Sequence, residues 1–120
     1  MDRQERDSQR LQDILDAIAA IERRLPRDKD DFLRDELLIV WMAFHVQTIG
    51  EASTRLSLEF RNTHVSQPWP RIIGMRNVIV HNYSQVDPNE VWNVVSRDIL
   101  YLKDFVLAAL AGMKPSADTP

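Results

Sequence analysis

Arg76 and His81 are the residues of this sequence whose types and spacing best match a chemical reaction. They lie five positions apart, and the same short segment contains Asn77 and Tyr83. Imidazole titrates near neutral pH and can move protons, while a guanidinium binds phosphate and stabilises charge that develops in a transition state. Together they provide the minimum for metal-free RNA cleavage, in which the base takes the proton of a 2′-hydroxyl and arginine stabilises the phosphorane. The pair alone is a weak signal, because the same spacing occurs in many unrelated helices.

The charge distribution around this segment favours a phosphate-bearing partner, although the whole chain carries a formal net charge of −3. The stretch from Ala52 to Val86 contains four arginines and one glutamate, a local charge of +3. A phosphate chain responds to the local field more than to the total charge. Chance clustering in a short chain is the alternative explanation.

The sequence lacks the usual ligands of a catalytic metal near this segment. No acidic residue lies between Glu59 and Asp87, and the chain contains no cysteine. A two-metal nuclease needs several carboxylates, and the absence of cysteine excludes thiol catalysis and cysteine-based zinc sites. We therefore expect no metal and no cofactor.

The other two histidines have simpler explanations. His45 lies in the apolar centre of a predicted helix, where a buried histidine satisfied by a neighbour is expected. His64 lies in a polar loop predicted over residues 62–70 and is expected to be solvated.

The spacing of apolar residues predicts helices in the first half of the chain. A one-sided amphipathic helix is expected from about residue 8 to 25, and a long helix from about residue 31 to 60. The middle of the long helix is apolar almost all round, which is typical of a helix inside a bundle or at a subunit interface. Residues 38–41 also fit a buried strand, but no proline or glycine frames them, so a helix is favoured.

Helix boundaries are clearer in the second half. A shorter helix is expected over residues 69–82. Asp87 followed by Pro88 and Glu90 has the residue order of a helix start, and Gly112 is placed to end the last helix.

These elements predict an all-α antiparallel bundle of four to five helices. It occupies residues 1–113 as a single domain, followed by a loose tail over residues 114–120. The charged N-terminal segment lacks the apolar stretch of a secretory signal, and no apolar run approaches the roughly 20 residues of a membrane span. A cytoplasmic protein without a membrane partner is expected.

A helical wheel of the segment predicts an interface. Asn77 and His81 share its polar side, and Ile73 and Val80 lie between Arg76 and His81. A monomer would expose these two apolar residues beside its polar cluster, so we infer a protein–protein interface, most simply a two-fold dimer. The alternative is that the long loop folds over them.

At these residues the sequence resembles the HEPN superfamily, specifically its HepT-like ribonuclease toxins. The motif of that family is arginine, a polar residue, three further positions, histidine, any residue and tyrosine, and it is complete here as Arg76-Asn77 and His81-Asn82-Tyr83. The resembling flanks are Ile49-Gly50-Glu51-Ala52, Pro68-Trp69, Ile73-Gly74-Met75, Val86-Asp87 and Val91-Trp92. The similarity extends from about Gln9 to Leu110 and departs at Pro70-Arg71, where a charged pair without proline is expected.

The resemblance implies an all-helical homodimer whose two motifs meet in a cleft and cleave RNA without metal, with tRNA as one candidate substrate. It also implies a partner, the minimal nucleotidyltransferase antitoxin of a type VII-like toxin–antitoxin system. This antitoxin transfers AMP to the motif tyrosine, here Tyr83. Added negative charge and bulk beside Arg76 would oppose binding of an RNA phosphate.

The motif, together with the arginine-rich stretch around it, suggests a role for each candidate residue. Arg76 is expected to hold the scissile phosphate and His81 to act as acid and base. Asn77 would orient the phosphate or His81, and Arg71 would support RNA-phosphate binding. Glu51 is either an ordinary surface carboxylate or a partner that orients Arg76 or His81.

Two alternatives stay open. A helical dimer could bind nucleotide or the transferase without nuclease activity, since the same Arg–His pair would bind a nucleotide phosphate. A purely structural bundle gives no reason for the polar residues to cluster. The intact motif favours the enzyme.

Overall fold

The computed structural model of the chain describes residues 1–77 and 86–113, and every element in these residues is helical. The α-helices are α1 (Arg3–Arg24), α2 (Lys29–Leu33), α3 (Glu36–Thr54), α4 (Leu58–Thr63), α5 (Trp69–Gly74), α6 (Pro88–Asn93) and α7 (Ile99–Met113). A 3₁₀ turn, Met75–Asn77, follows α5, and a π-helical turn, Val94–Asp98, joins α6 to α7. The predicted all-α class is confirmed, and the tail predicted over 114–120 lies outside the described residues.

Helix α3 is the central element of the bundle. It contacts α1, α5, α6 and the 3₁₀ turn. The largest fully buried side chains come from α1, α2, α3 and α7: Phe32, Leu11, Ile14, Ile18, Ile21, Met42, Ile49 and Ile99. The apolar spacing predicted for the first helix is therefore confirmed, because its apolar side is the side that packs against α3.

The single long helix predicted from 31 to 60 is wrong. The structure divides this stretch into α2, α3 and α4, with each new helix starting at a side-chain cap. The Asp35 carboxylate accepts a hydrogen bond from the Leu38 amide at 3.0 Å, and the Ser57 hydroxyl accepts one from the Phe60 amide at 3.0 Å. Capping of this kind compensates for the unpaired amides of a helix start. Residues 38–41 belong to α3, so the helical interpretation of that run is confirmed.

Asp7 fixes the start of α4 against α1. Its carboxylate accepts hydrogen bonds from the Ser57 amide at 2.7 Å and from the Ser57 hydroxyl at 2.6 Å. Asp7 is only 2% exposed. A buried carboxylate that accepts two hydrogen bonds is a strong tether, so the position of α4 depends on it.

We expect Asp7→Ala to lower the free energy of unfolding by about 2 kcal/mol, because it removes two hydrogen bonds and leaves the partly buried Ser57 amide without a partner. Urea unfolding followed by circular dichroism measures the effect. The matched control is Asp16→Ala on the exposed side of the same helix, where a loss of less than about 0.5 kcal/mol is expected. Equal losses in the two variants would contradict the tether.

His64 is not solvated as the sequence predicted. It ends α4 and is partly buried between the rings of Phe60 and Phe105, with centroid separations of 4.3 and 5.3 Å. Its Nδ1 lies 2.9 Å from the Phe60 carbonyl oxygen, and its own carbonyl accepts a hydrogen bond from Trp69 Nε1 at 3.0 Å. This aromatic cluster packs the loop before α5 onto α7.

The predicted helix start at Asp87 is confirmed. The Asp87 carboxylate accepts a hydrogen bond from the Asn89 amide at 2.9 Å, and Pro88 is the first residue of α6. Gly112 does not end the last helix as predicted, because α7 includes it and reaches Met113.

Candidate functional site

Arg76 and Asn77 lie in the 3₁₀ turn, and both are exposed. The turn follows directly from α5, whose Ile72 is buried, and its own Met75 is buried as well. These two side chains anchor the turn in the core while the polar residues face outward. The structure thus places two of the predicted site residues next to each other on the surface.

The helix predicted over 69–82 changes geometry within its first half. α5 ends at Gly74, and the following turn has three residues per turn instead of 3.6. Met75, Arg76 and Asn77 are therefore rotated relative to a regular α-helical wheel. Ile73, expected at an interface, is partly buried against the core.

Pro70 lies in the first turn of α5, where proline is tolerated, so this departure from the family pattern leaves the helix intact.

The backbone of Arg76 lies directly against α3 at Gly50. A Cβ atom at Gly50 would lie 2.8 Å from the Arg76 Cα and closer still to its backbone nitrogen. Gly50 is buried. Sequence reasoning did not assign a function to Gly50, although an isolated glycine inside a helical pattern is itself a signal of a packing constraint.

Glu51 follows Gly50 and is exposed. No ion pair links it to Arg76 within the part of the chain that the structure describes. Glu51 instead lines a cleft of about 480 Å³ between α1 and α3. The other residues that line this cleft are Arg10, Asp13, Asp16, Ala17, Phe44, His45, Thr48, Ala52 and Arg55.

His45 is only partly buried, in the wall of this cleft, where the sequence predicted a buried histidine satisfied by a neighbour. Its ring packs against Trp41 and Phe44, with centroid separations of 4.3 and 5.4 Å. Burial lowers the pKa of His45 below its usual value, and the positive charge of Arg23 lowers it further. A histidine with a lowered pKa is neutral at pH 7, so His45 offers a neutral imidazole to the cleft.

Arg71 is held by a carboxylate. Its Nε donates a hydrogen bond to Asp98 Oδ2 at 3.1 Å, and a second guanidinium nitrogen contacts the same oxygen. Arg97 also lies 3.7 Å from the other oxygen of Asp98. The pair links α5 to the π-helical turn. The predicted contact between Arg71 and RNA phosphate stays a prediction.

His81 and Tyr83 lie outside the described residues, together with Val80 of the predicted interface. The catalytic role of His81 and the acceptor role of Tyr83 therefore stay predictions. The structure brings the turn of Arg76 and Asn77 against Gly50 of α3, whereas Glu51 lines the cleft with α1 and Arg71 pairs with Asp98.

Four of the described helices expose large apolar side chains: α2 at Leu33, α4 at Leu58, and α3 and α7 at two or more positions each. On α3, Leu37 is 85% exposed and Phe44 is 57% exposed. On α7, the exposed apolar residues are Leu100, Tyr101 and Leu107. The apolar surface that the sequence predicted around the long helix is thus only partly covered by the described bundle.

Within residues 1–77 and 86–113, no group of three His, Asp or Glu side chains is arranged to hold a metal ion. None of the helices in the same residues is long and apolar enough to cross a membrane.

Comparisons with known proteins agree with the motif. A family model described as ribonuclease HepT-like matches residues 14–109. A Methanocaldococcus jannaschii protein named as a gamma-glutamylcyclotransferase and RNase is 35% identical over 99 residues, which cover 81% of this chain but 44% of that protein. The chain thus spans less than half the length of this relative.

Two further relatives are similar in size to the aligned region. A second Methanocaldococcus jannaschii protein named as an RNase is 30% identical over 94 residues, covering 78% of this chain and 86% of its own. A Thermococcus cleftensis protein named as ribonuclease HepT is 35% identical over 95 residues, covering 78% and 86%. The RNase part of all three names is a provisional assignment. No solved structure matches the chain significantly.

Proposed function

The chain belongs to the family of HepT-like ribonucleases, and on this premise we propose that it is a metal-independent endoribonuclease acting through Arg76 and His81. The observation that carries the proposal is the placement of Arg76 and Asn77, which are exposed on a turn held against α3. A guanidinium on an anchored backbone is suited to hold a phosphate in one position. The sequence supplies a histidine five positions further on.

In the proposed reaction, neutral His81 removes the proton of the ribose 2′-hydroxyl, and the 2′-oxygen attacks the adjacent phosphorus. Arg76 compensates the negative charge of the phosphorane, and Asn77 orients the phosphate. The bond to the 5′-oxygen then breaks, and the proton returns to that oxygen from an imidazolium. The products are a 2′,3′-cyclic phosphate and a free 5′-hydroxyl. The chemistry needs no metal because the histidine moves the proton and the arginine stabilises the charge.

The active form in this proposal is a homodimer in which two motifs share one cleft. The exposed Leu37 and Phe44 on α3 support it, because large apolar side chains on one helix face are typical of a surface that another subunit covers. Two copies would also bring two arginine-rich stretches to one RNA, which compensates for the acidic total charge.

The proposal includes regulation by a minimal nucleotidyltransferase that acts as an antitoxin. Its target is Tyr83, two residues after His81 in the motif. An AMP group there would place a negative charge near the phosphate-binding guanidinium and block RNA. The chain would then be the toxin of the pair and act on cytoplasmic RNA, tRNA being one candidate.

RNA cleavage by the purified protein in excess EDTA tests the proposed function. The rate should equal that measured with added Mg²⁺ within about twofold, because no step requires a metal ion. Arg76→Ala, purified in parallel, controls for contaminating nucleases. Loss of cleavage in EDTA that added metal restores would contradict the metal-free mechanism, and RNA binding without cleavage under all conditions would favour the non-catalytic binding module.

A further inference from the structure

Gly50 differs from the other two glycines of the chain in what surrounds its Cα. Among the described residues, a Cβ added at Gly74 or Gly112 would meet no atom within 4 Å beyond the backbone of its own helix. At Gly50 the added Cβ would overlap the backbone nitrogen, Cα and Cβ of Arg76. A helix with glycine in its interior is less stable than the same helix with alanine. The close approach of the Arg76 backbone explains why α3 nevertheless has glycine at position 50.

The overlap involves backbone atoms, which cannot rotate away as a flexible side chain can. The buried side chains of Ile72 and Met75 hold the same segment in the core. With any side chain at position 50, the backbone of Arg76 would have to withdraw by about 1 Å to reach ordinary van der Waals separation. The withdrawal would carry the Arg76 guanidinium away from α3.

We propose that Gly50 is a positioning residue, which sets how closely the Arg76 backbone approaches α3 and thereby where the guanidinium meets the reacting phosphate. The inference rests on the proposed ribonuclease function, because it assigns Gly50 an effect that acts only through Arg76. Gly50 itself presents no side chain to a substrate.

The test compares Gly50→Ala with Gly112→Ala, the same change in helix α7, where no other part of the described chain lies close to the added Cβ. A misplacement of about 1 Å can cost about 100-fold in rate. We expect Gly50→Ala to lower kcat for RNA cleavage about 100-fold with a much smaller change in KM, while Gly112→Ala keeps the wild-type kcat. Circular dichroism and thermal unfolding should show both variants folded.

A double-mutant cycle separates positioning from general damage. If Gly50 acts through Arg76, adding Gly50→Ala to an Arg76→Ala protein should change the residual single-turnover rate of RNA cleavage by less than about twofold. In the wild-type background the same change should lower that rate about 100-fold. An equal loss in both backgrounds would overturn the inference.

The remaining outcomes are also decisive. A folded Gly50→Ala protein that cleaves as fast as Gly112→Ala would overturn the role of Gly50 and leave the ribonuclease function in place. Global unfolding of Gly50→Ala alone would overturn it too, because Gly50 would then serve the whole bundle instead of Arg76. If the wild-type protein itself does not cleave RNA, the proposed function and the inference fail together.

Discussion

Replacing His81 with alanine should slow RNA cleavage by about 10²–10⁴-fold, the usual contribution of a general acid–base group. Alanine can neither accept the 2′-hydroxyl proton nor return a proton to the leaving oxygen. Arg76→Ala should slow cleavage about 10²–10³-fold, because the phosphorane loses its compensating charge. Single-turnover rates with a labelled RNA measure both effects without interference from product release.

A charge-matched control separates the role of Arg76 from a general loss of positive charge. Arg34 is exposed and pairs only loosely with Asp31, at 3.8 Å. Arg34→Ala removes one guanidinium, as Arg76→Ala does, and should leave the cleavage rate within about twofold of wild type. Unchanged cleavage by folded His81→Ala protein would contradict the catalytic role of His81. Equal losses of cleavage rate in Arg76→Ala and Arg34→Ala would mean that Arg76 only attracts RNA through its charge.

The structure changes the electrostatic argument made from the sequence. Two members of the stretch with a local charge of +3 are paired with residues outside it. Arg71 is paired with Asp98, and Glu59 lies 3.3 Å from Arg3. Asp98 brings one negative charge and Arg3 one positive charge, so the total is unchanged but its distribution is not, and counting charges along the chain does not describe what an RNA phosphate meets. The placement of Arg76 on an anchored turn is therefore a better argument for phosphate binding than the total of the stretch.

Structural features that depend on interactions within a few residues could be predicted from the sequence. The start of α6 is an example, because Asp87 and Pro88 act on amides within one turn. The breaks before α3 and α4 have caps of the same kind at Asp35 and Ser57, but the apolar spacing continues across them and hides them. Local chemistry predicts a helix start most clearly where the apolar pattern is also interrupted.

Structural features that depend on residues far apart in the chain could not be predicted from the sequence. His64 lies in a polar stretch, and its burial arises from Phe105 on α7. The partner of Arg71 is 27 residues away. Gly50 could be recognised as unusual within a helix, but only the fold shows that the backbone of Arg76 occupies the space of its missing side chain. The motif gave the residue types of the site, and tertiary packing determines where they lie.

The second large effect expected is complete loss of AMP attachment in Tyr83→Phe. In the proposed modification the Tyr83 hydroxyl oxygen attacks the α-phosphorus of ATP, pyrophosphate leaves, and the hydroxyl proton is released. Phenylalanine keeps the ring but has no oxygen to attack, so no adenylyl group can be transferred. Incubation with the cognate nucleotidyltransferase and ATP, followed by intact-protein mass spectrometry, should show the adenylyl mass on wild type and none on Tyr83→Phe.

The chain supplies a matched control for this result, because it has two tyrosines and the other, Tyr101, is 74% exposed. Tyr101→Phe should be modified as fully as wild type, which shows that accessibility alone does not select the acceptor. Modification should abolish RNA cleavage by wild type and by Tyr101→Phe, whereas Tyr83→Phe should continue to cleave in the presence of the transferase and ATP. Attachment of AMP at Tyr101, or silencing of Tyr83→Phe under these conditions, would contradict the regulation proposed at Tyr83.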